Sequence, residues 1–170
     1  MVNPLNIYAK TKYEGELFAK QNADSLILRT NIYGINVQNK KSFGEWVAKA
    51  LENDEEINMF TDIVFSPILV NELAQIIDKC IDKDLSGLYH ACATGAITKY
   101  NFGMILKDVF KIKTGKINKT TSSIMNFKAK RAKNMGMSNK KLREALDVDI
   151  RTPEESIEQF YQLYKQKEEI

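Results

Sequence analysis

Apolar residues in this chain recur in two rhythms: stripes at three- and four-residue spacing, and short runs without polar interruption. The first rhythm marks helices, and the second marks strands buried on both faces. Residues 6–21 read as a helix rich in Ala, Lys, Glu and Leu, with Pro4 and Asn6 just upstream, where a helix start tolerates them. Asp24 and Ser25 end it, and LIL at 26–28 predicts a buried strand running into RTNIYG. SFGEWVAKALEN at 42–53 predicts a helix with Ser42 and Glu45 at capping-box spacing and Phe43, Trp46, Val47, Ala50 and Leu51 in one stripe. EINMFTDIVFSPILV at 56–70 predicts strand pieces interrupted by Pro67. The next helix takes Asn71 as its N-cap and sets Leu73, Ile76, Ile77, Cys80 and Ile81 on one face. After the turn DLSG at 84–87, LYHACA at 88–93 predicts a short strand.

A further helix from near Thr98 carries Ile105, Leu106, Val109 and Phe110, and KINKTTSS at 116–123 predicts an edge strand. SNKKLREAL at 138–146 predicts a helix capped by Ser138. In TPEESIEQFYQLYKQ at 152–166, Thr152 caps, Pro153 takes the first turn, Glu155 completes the box, and Ile157, Phe160, Tyr161 and Tyr164 face inward. Helix alternating with buried strand is the grammar of a parallel sheet, so the expected class is α/β.

Composition adds bounds. At 44% apolar and 28% charged over 170 positions, the chain suits one good core. No run nears eighteen apolar residues, so no membrane helix is expected, and the N-terminus lacks the pattern of a signal peptide. Cys80 and Cys92 sit in apolar segments without CxxC spacing and read as free core thiols in a reducing cytoplasm. The net charge of +3 hides an asymmetry: Lys107 to Arg143 holds twelve bases against Asp108 alone. Such a block is a solvated surface, or a site for phosphate or nucleic acid, with nucleic acid the less expected partner. His90, the single histidine, reads as core packing, and no metal site is expected.

The candidate chemistry lies in YAKTK at 8–12. Carbonyl reduction needs a proton donor as the alkoxide forms, and a tyrosine serves near neutral pH only if its pKa of about 10 is pulled down. A lysine ammonium does this, and positions i and i+4 of a helix are neighbours. Tyr8 and Lys12 meet that spacing; so do Tyr161 and Lys165, which the apolar stripe assigns to the core.

Context separates the pairs. YAKTKYEGE at 8–16 followed by LILRTNIYG at 26–34 resembles the extended short-chain dehydrogenase/reductase superfamily, closest to the dTDP-4-dehydrorhamnose reductase-like nucleotide-sugar reductases. FSPILVNELAQIID at 65–78, GLYHACATGAITKYNFGMIL at 87–106 and RAKNMGMSNKKLRE at 131–144 resemble later segments of that family in the right order, although Ala132 stands where the family has proline. The resemblance implies the C-terminal part of a Rossmann-like parallel sheet with a small α/β substrate-binding lobe. Residues 1–55 would be the remnant of the cofactor domain, and residues 56–170 mainly the lobe and C-terminal helices.

The resemblance also implies roles. Tyr8 would be the acid–base, and Lys12 would hold the nicotinamide ribose. Thr30 and Asn31 would line the nicotinamide, with Asn31 also near substrate. Arg131 would meet the nucleotide sugar, and the basic block would face its two phosphates. The cofactor would be NADP or NAD, the substrate a 4-keto nucleotide sugar of the dTDP-rhamnose type, and the location cytoplasmic. The eight glycines form no GxxGxxG turn, so the chain reads as lacking the cofactor half, and NAD(P)H binding by it alone is expected to be weak or absent. The strand at 26–30 would then have an unpaired edge, which invites a homo-oligomer or strand exchange. Two alternatives stay open: a nucleotide-sugar epimerase or dehydratase of the same superfamily, and a non-catalytic truncated chain acting as a binding subunit.

Overall fold

The computed structural model describes residues 2–36, 38 and 40–168. It is an α/β fold of six helices and nine short strands among these residues. Helix α1 (Ile7–Ala19) leads into β1 (Leu26–Arg29) and β2 (Ile32–Tyr33), then α2 (Phe43–Glu52). Strands β3 (Glu56–Phe60), β4 (Val64–Phe65) and β5 (Ile68–Leu69) precede α3 (Val70–Asp82). β6 (Gly87–His90) and β7 (Ile97–Thr98) bracket a loop before α4 (Lys99–Val109). β8 (Lys116–Thr120), β9 (Asn134–Met135), α5 (Lys140–Leu146) and α6 (Pro153–Glu168) complete the order.

The pairing is parallel for β1 with β6, β2 with β5, β3 with β8 and β4 with β9; only β4 with β7 is antiparallel. In β1–β6 the register sets Leu26 opposite Gly87 and Arg29 opposite His90. Among the described residues β1 pairs with β6 alone, so its second edge carries no strand. All four residues of β1 are half-buried rather than buried on both faces as the apolar run LIL predicts: Leu26 and Leu28 pack at the edge of one core cluster, and Arg29 meets Glu16 of α1, a helix that buries none of its residues. The strand predicted over LYHACA stops at His90, and Ala91, Cys92 and Ala93 continue fully buried outside the ladder.

Two capping boxes set helix starts as their spacing predicts. In α2, Ser42 Oγ accepts from the Glu45 amide at 3.3 Å and a Glu45 oxygen accepts from the Ser42 amide at 2.9 Å. In α6, Glu155 N donates to Thr152 Oγ1 at 3.3 Å and Thr152 N to Glu155 Oε2 at 2.8 Å. Two predicted caps move. α3 begins at Val70 after Leu69 with no side-chain cap, which leaves Asn71 exposed in the first turn, while buried Glu72 accepts from Arg151 N and Nη1. In α5 the N-cap position falls to Asn139, whose Nδ2 is anchored to Cys92 O and Thr94 Oγ1 at 2.9 and 3.0 Å and whose side chain caps nothing, while Ser138 Oγ still accepts from Lys140 N at 3.4 Å.

The main core joins α2, α4 and α6 to β3 and β4. Tyr33 stands edge-on to Phe102 and Phe160 at 5.1 and 5.5 Å, and its hydroxyl meets Ser156 Oγ at 2.8 Å. A second cluster packs Leu73, Ile76 and Cys80 of α3 against Leu142 and Leu146 of α5. Ile77 and Ile81, expected on the same face, stand 38 and 65% exposed because among the described residues no element covers that flank of α3. Gly115 has φ +65°, and a Cβ there would meet Leu51 Cα at 2.7 Å, so the α4–β8 turn needs glycine both for its backbone and for this approach. Both cysteines are free and buried, and burial raises the Cys92 thiol to about 11.

Glu45 ties the α2 start to the end of the chain: besides Ser42 N it accepts from Asn36 N at 3.0 Å and Lys167 Nζ at 2.7 Å. Burial raises its pKa, but the Lys167 bond and the two amides outweigh that and hold it below the ordinary 4.5. Since the folded value is the lower one, its contribution is complete above the unfolded value and is lost as pH falls through the folded value. Glu45→Gln is expected to cost about 1–3 kcal/mol at pH 7 and to flatten the acid limb of stability, read by urea titration from pH 7 to 3. Equal stability of the two proteins at pH 7 would count against this role.

Candidate functional site

α1 buries none of its residues. It is held by polar clamps. At its start, Asn6 Oδ1 accepts from Ala9 N at 2.8 Å while Asn6 Nδ2 donates to Lys130 O at 2.8 Å, joining the helix to the segment before β9. At its end, both Glu16 oxygens accept from Arg29 of β1 at 2.7 Å. The Arg29 hydrogen bonds hold the Glu16 carboxyl below its ordinary range against the opposing effect of burial. This bidentate pair leaves Glu16 charged and Arg29 already neutralised.

Between the clamps lies a cleft of about 1050 Å3. Tyr8, Lys12, Tyr13 and Glu16 line it from α1, with Arg29 beside them. Phe43 and Trp46 of α2, Met59 and Phe60 of β3, and Lys99 of α4 line it from the core. Ala129, Arg131 and Ala132 close the remaining side. Tyr8 is 72% exposed, with Lys12 Nζ 5.8 Å from its ring centre. The Arg131 guanidinium sits 4.6 Å from the Phe127 ring centre.

The structure thus brings Tyr8, Lys12 and Arg131 to one cleft. Thr30 and Asn31 are not among its lining residues. Asn31 serves the β2–β5 junction: Oδ1 accepts from Ser66 N at 3.3 Å, and Nδ2 donates to Thr30 O at 3.3 Å. Thr30 Oγ1 is buried with no hydrogen-bond partner among the described residues. The exposed Lys12 ammonium on the cleft wall suits the ribose–nicotinamide end of a dinucleotide, whereas the Thr30 hydroxyl is sealed away from that wall. No described strand–turn–helix carries the clustered glycines that a pyrophosphate needs, so the fit is to one end only.

The basic block does not face the cleft as a block; Arg131 is its one cation lining it among the described residues. Six of the others have local partners: Lys107 on Gly115 O, Lys116 on Glu56 at 3.6 Å, Lys133 on Asp62 at 3.1 Å, Lys140 on Glu144 at 3.7 Å, Lys141 on Leu88 O at 2.8 Å and Arg143 on Asp149. Asp62 is a structural pin, its carboxyl lowered to about 2 by the Ser122 hydroxyl and amide, with Lys133 adding to them. His90 is half-buried rather than core, with Nδ1 3.1 Å from Ser138 O. Among the described residues no group of three or more His, Cys, Asp and Glu is placed to hold a metal, and no helix is long and apolar enough to cross a membrane. Tyr161 packs against Phe110 at 4.9 Å, as its stripe position predicts.

Two cleft residues escape sequence reasoning. Trp46 reads as packing but is 41% exposed, its ring 6.1 Å from Phe43. The available signal was its place at the edge of the α2 stripe, where a large ring overhangs the core. Lys99 had no signal, since its surroundings come from β4 and α2. Its Nζ lies 3.4 and 3.9 Å from the ring centres of Phe65 and Phe43, and burial lowers its pKa to about 8.

Residues 1–166 match the sequence model of a family described as the RmlD substrate binding domain. The chain is 30% identical over 104 residues to the protein named "Probable low-salt glycan biosynthesis reductase Agl14" of Haloferax volcanii, which covers 59% of this chain and 35% of that protein. A dTDP-4-dehydrorhamnose reductase structure from Clostridium acetobutylicum superposes with TM-score 0.86 at 28% identity, over 97% of this chain and 58% of that one. Another, from Bacillus anthracis in complex with NADP, gives TM-score 0.85 at 28% identity over 95 and 57%. The chain therefore spans little more than half the length of these solved structures.

Proposed function

Because the chain belongs to the RmlD substrate-binding domain family, we propose that it forms the catalytic helix and substrate-binding part of an NAD(P)H-dependent reductase acting on a 4-keto nucleotide sugar of the dTDP-4-dehydrorhamnose kind. The observation that carries this reading is the meeting of Tyr8, Lys12 and Arg131 on one cleft large enough for a nucleotide sugar. A reduced nicotinamide, when bound, supplies the hydride. Tyr8 Oη donates its proton to the carbonyl oxygen as negative charge develops there, and the Lys12 ammonium favours the resulting phenolate. Lys12 is the group that would hold the ribose–nicotinamide end. Phe43 and Trp46 offer flat apolar surface, and Arg131 offers a fork of donors to phosphoryl oxygens.

Trp46 is the only tryptophan in the chain and lines the cleft, so its fluorescence reports occupancy directly. Titration of the 170-residue chain with dTDP is expected to quench Trp46 saturably, with Kd on the order of 100 µM, about −5.5 kcal/mol. NADPH is expected to give no saturable change in that range. Absence of saturable dTDP quenching would sink the nucleotide-sugar reading; tight NADPH binding would overturn the expected weak cofactor affinity.

A further inference from the structure

The cleft is electrostatically unbalanced. Among the described residues, four cations line it (Lys12, Arg29, Lys99 and Arg131) against one carboxylate, Glu16. Both oxygens of that carboxylate are taken by Arg29. Lys12, Lys99 and Arg131 therefore have no compensating charge within the cleft.

Lys99 is the most constrained of the three. Its backbone N–H is bonded to Ile63 O at 3.0 Å, and Thr98 Oγ1 caps the helix it begins by accepting from Asn101 N at 3.0 Å. Its ammonium is held over Phe65 and Phe43 and has no hydrogen-bond or ion-pair partner among the described residues. A lysine in the first turn of an 11-residue helix also meets the positive end of the macrodipole, which disfavours a cation and favours an anion. A leucine or methionine would fill the same apolar seat without desolvating a charge. The cation–π contacts offset only part of that cost. The lowered pKa is the mark of this unanswered desolvation, and a ligand oxyanion at Nζ would relieve it.

We propose that Lys99 is a ligand-anchoring and specificity-determining residue of the cleft, whose ammonium takes a phosphoryl oxygen of a nucleoside diphosphate group. The proposal rests on the nucleotide-sugar reading of the same cleft and adds to it a second cation, besides Arg131, that distinguishes a diphosphate from an uncharged nucleoside. Lys99 acts through charge at one fixed point, and the Phe43–Trp46 surface beside it is indifferent to charge.

The test titrates dTDP and thymidine against the chain and its Lys99→Met and Lys99→Arg variants, read by Trp46 fluorescence, with circular dichroism checking the fold. A second arm labels amines with acetic anhydride and follows acylation of Lys99 by peptide mass, with and without inorganic pyrophosphate. Expected are about tenfold or greater loss of dTDP affinity in Lys99→Met, recovery in Lys99→Arg, unchanged thymidine affinity, and slower acylation of Lys99 when pyrophosphate is present. Wild-type dTDP affinity in a folded Lys99→Met protein overturns the proposal and leaves the nucleotide-sugar reading standing. Protection by pyrophosphate without dTDP binding supports the anion anchor and overturns the nucleotide-sugar reading. No protection by either pyrophosphate or dTDP overturns the anchor even if a variant fails to fold.

Discussion

Tyr8→Phe is expected to lower kcat for carbonyl reduction by about 10^2–10^4-fold in an enzyme that combines this chain with a nicotinamide-binding half, while NADPH affinity stays nearly unchanged. The magnitude is that of a lost general acid, since every other contact to the substrate survives the change. The variant is a clean probe for a structural reason. Tyr8 is 72% exposed, and among the described residues its hydroxyl has no hydrogen-bond partner, so its removal leaves no buried group unsatisfied. Lys12→Met should differ by weakening both turnover and cofactor binding, since Lys12 is assigned to both. Steady-state kinetics with single-turnover hydride transfer separates the two outcomes. Unchanged turnover in Tyr8→Phe would remove Tyr8 from the mechanism whatever the status of the fold.

Phe160→Ala is expected to cost about 3–5 kcal/mol, a large fraction of the roughly 5–15 kcal/mol that holds a domain of this size. Phe160 is fully buried, with Tyr33 at 5.5 Å, Phe110 at 5.7 Å and Tyr164 at 6.0 Å. A Cβ added at Gly44 would lie 3.0 Å from its ring, so α2 and α6 approach too closely there for a neighbour to swing into the vacated space. The cavity would stay open, which places the loss high in the usual range. Calorimetry should show Tm falling by about 6–20 °C. Phe18→Ala on the outer face of α1 is the control: at 71% exposure it should change stability by less than about 0.5 kcal/mol. Equal effects of the two substitutions would refute the packing assigned to α6. Because α2 carries Phe43 and Trp46, a loosened α2–α6 contact should also weaken quenching of Trp46 by dTDP.

The helix starts at Ser42 and Thr152 were legible because a capping box closes within four residues and needs nothing from elsewhere. Asn71 and Ser138 misled for the complementary reason. Each is a good local cap, yet buried Glu72 is claimed by Arg151, 79 positions away, and Asn139 by Cys92 O, 47 positions away. Cap chemistry that is adequate locally yields when a buried polar group has a distant partner to satisfy.

The site divides along the same line. The neighbourhood of Tyr8 and Lys12 was set by the rise of one helix, and the sequence by itself determined it. That this pair opens onto a cleft, with Arg131 beside it, was decided by Asn6 reaching Lys130 across 124 positions. That Trp46 stands in the cleft instead of the core, that Lys99 lies over Phe43 and Phe65, and that half of the basic block is spent on local partners were likewise tertiary outcomes. The physical reason is range. Helical spacing and caps act within one or two turns, whereas the charge balance of a cleft depends on which side chains the packed elements bring face to face, and that is settled only when the core closes.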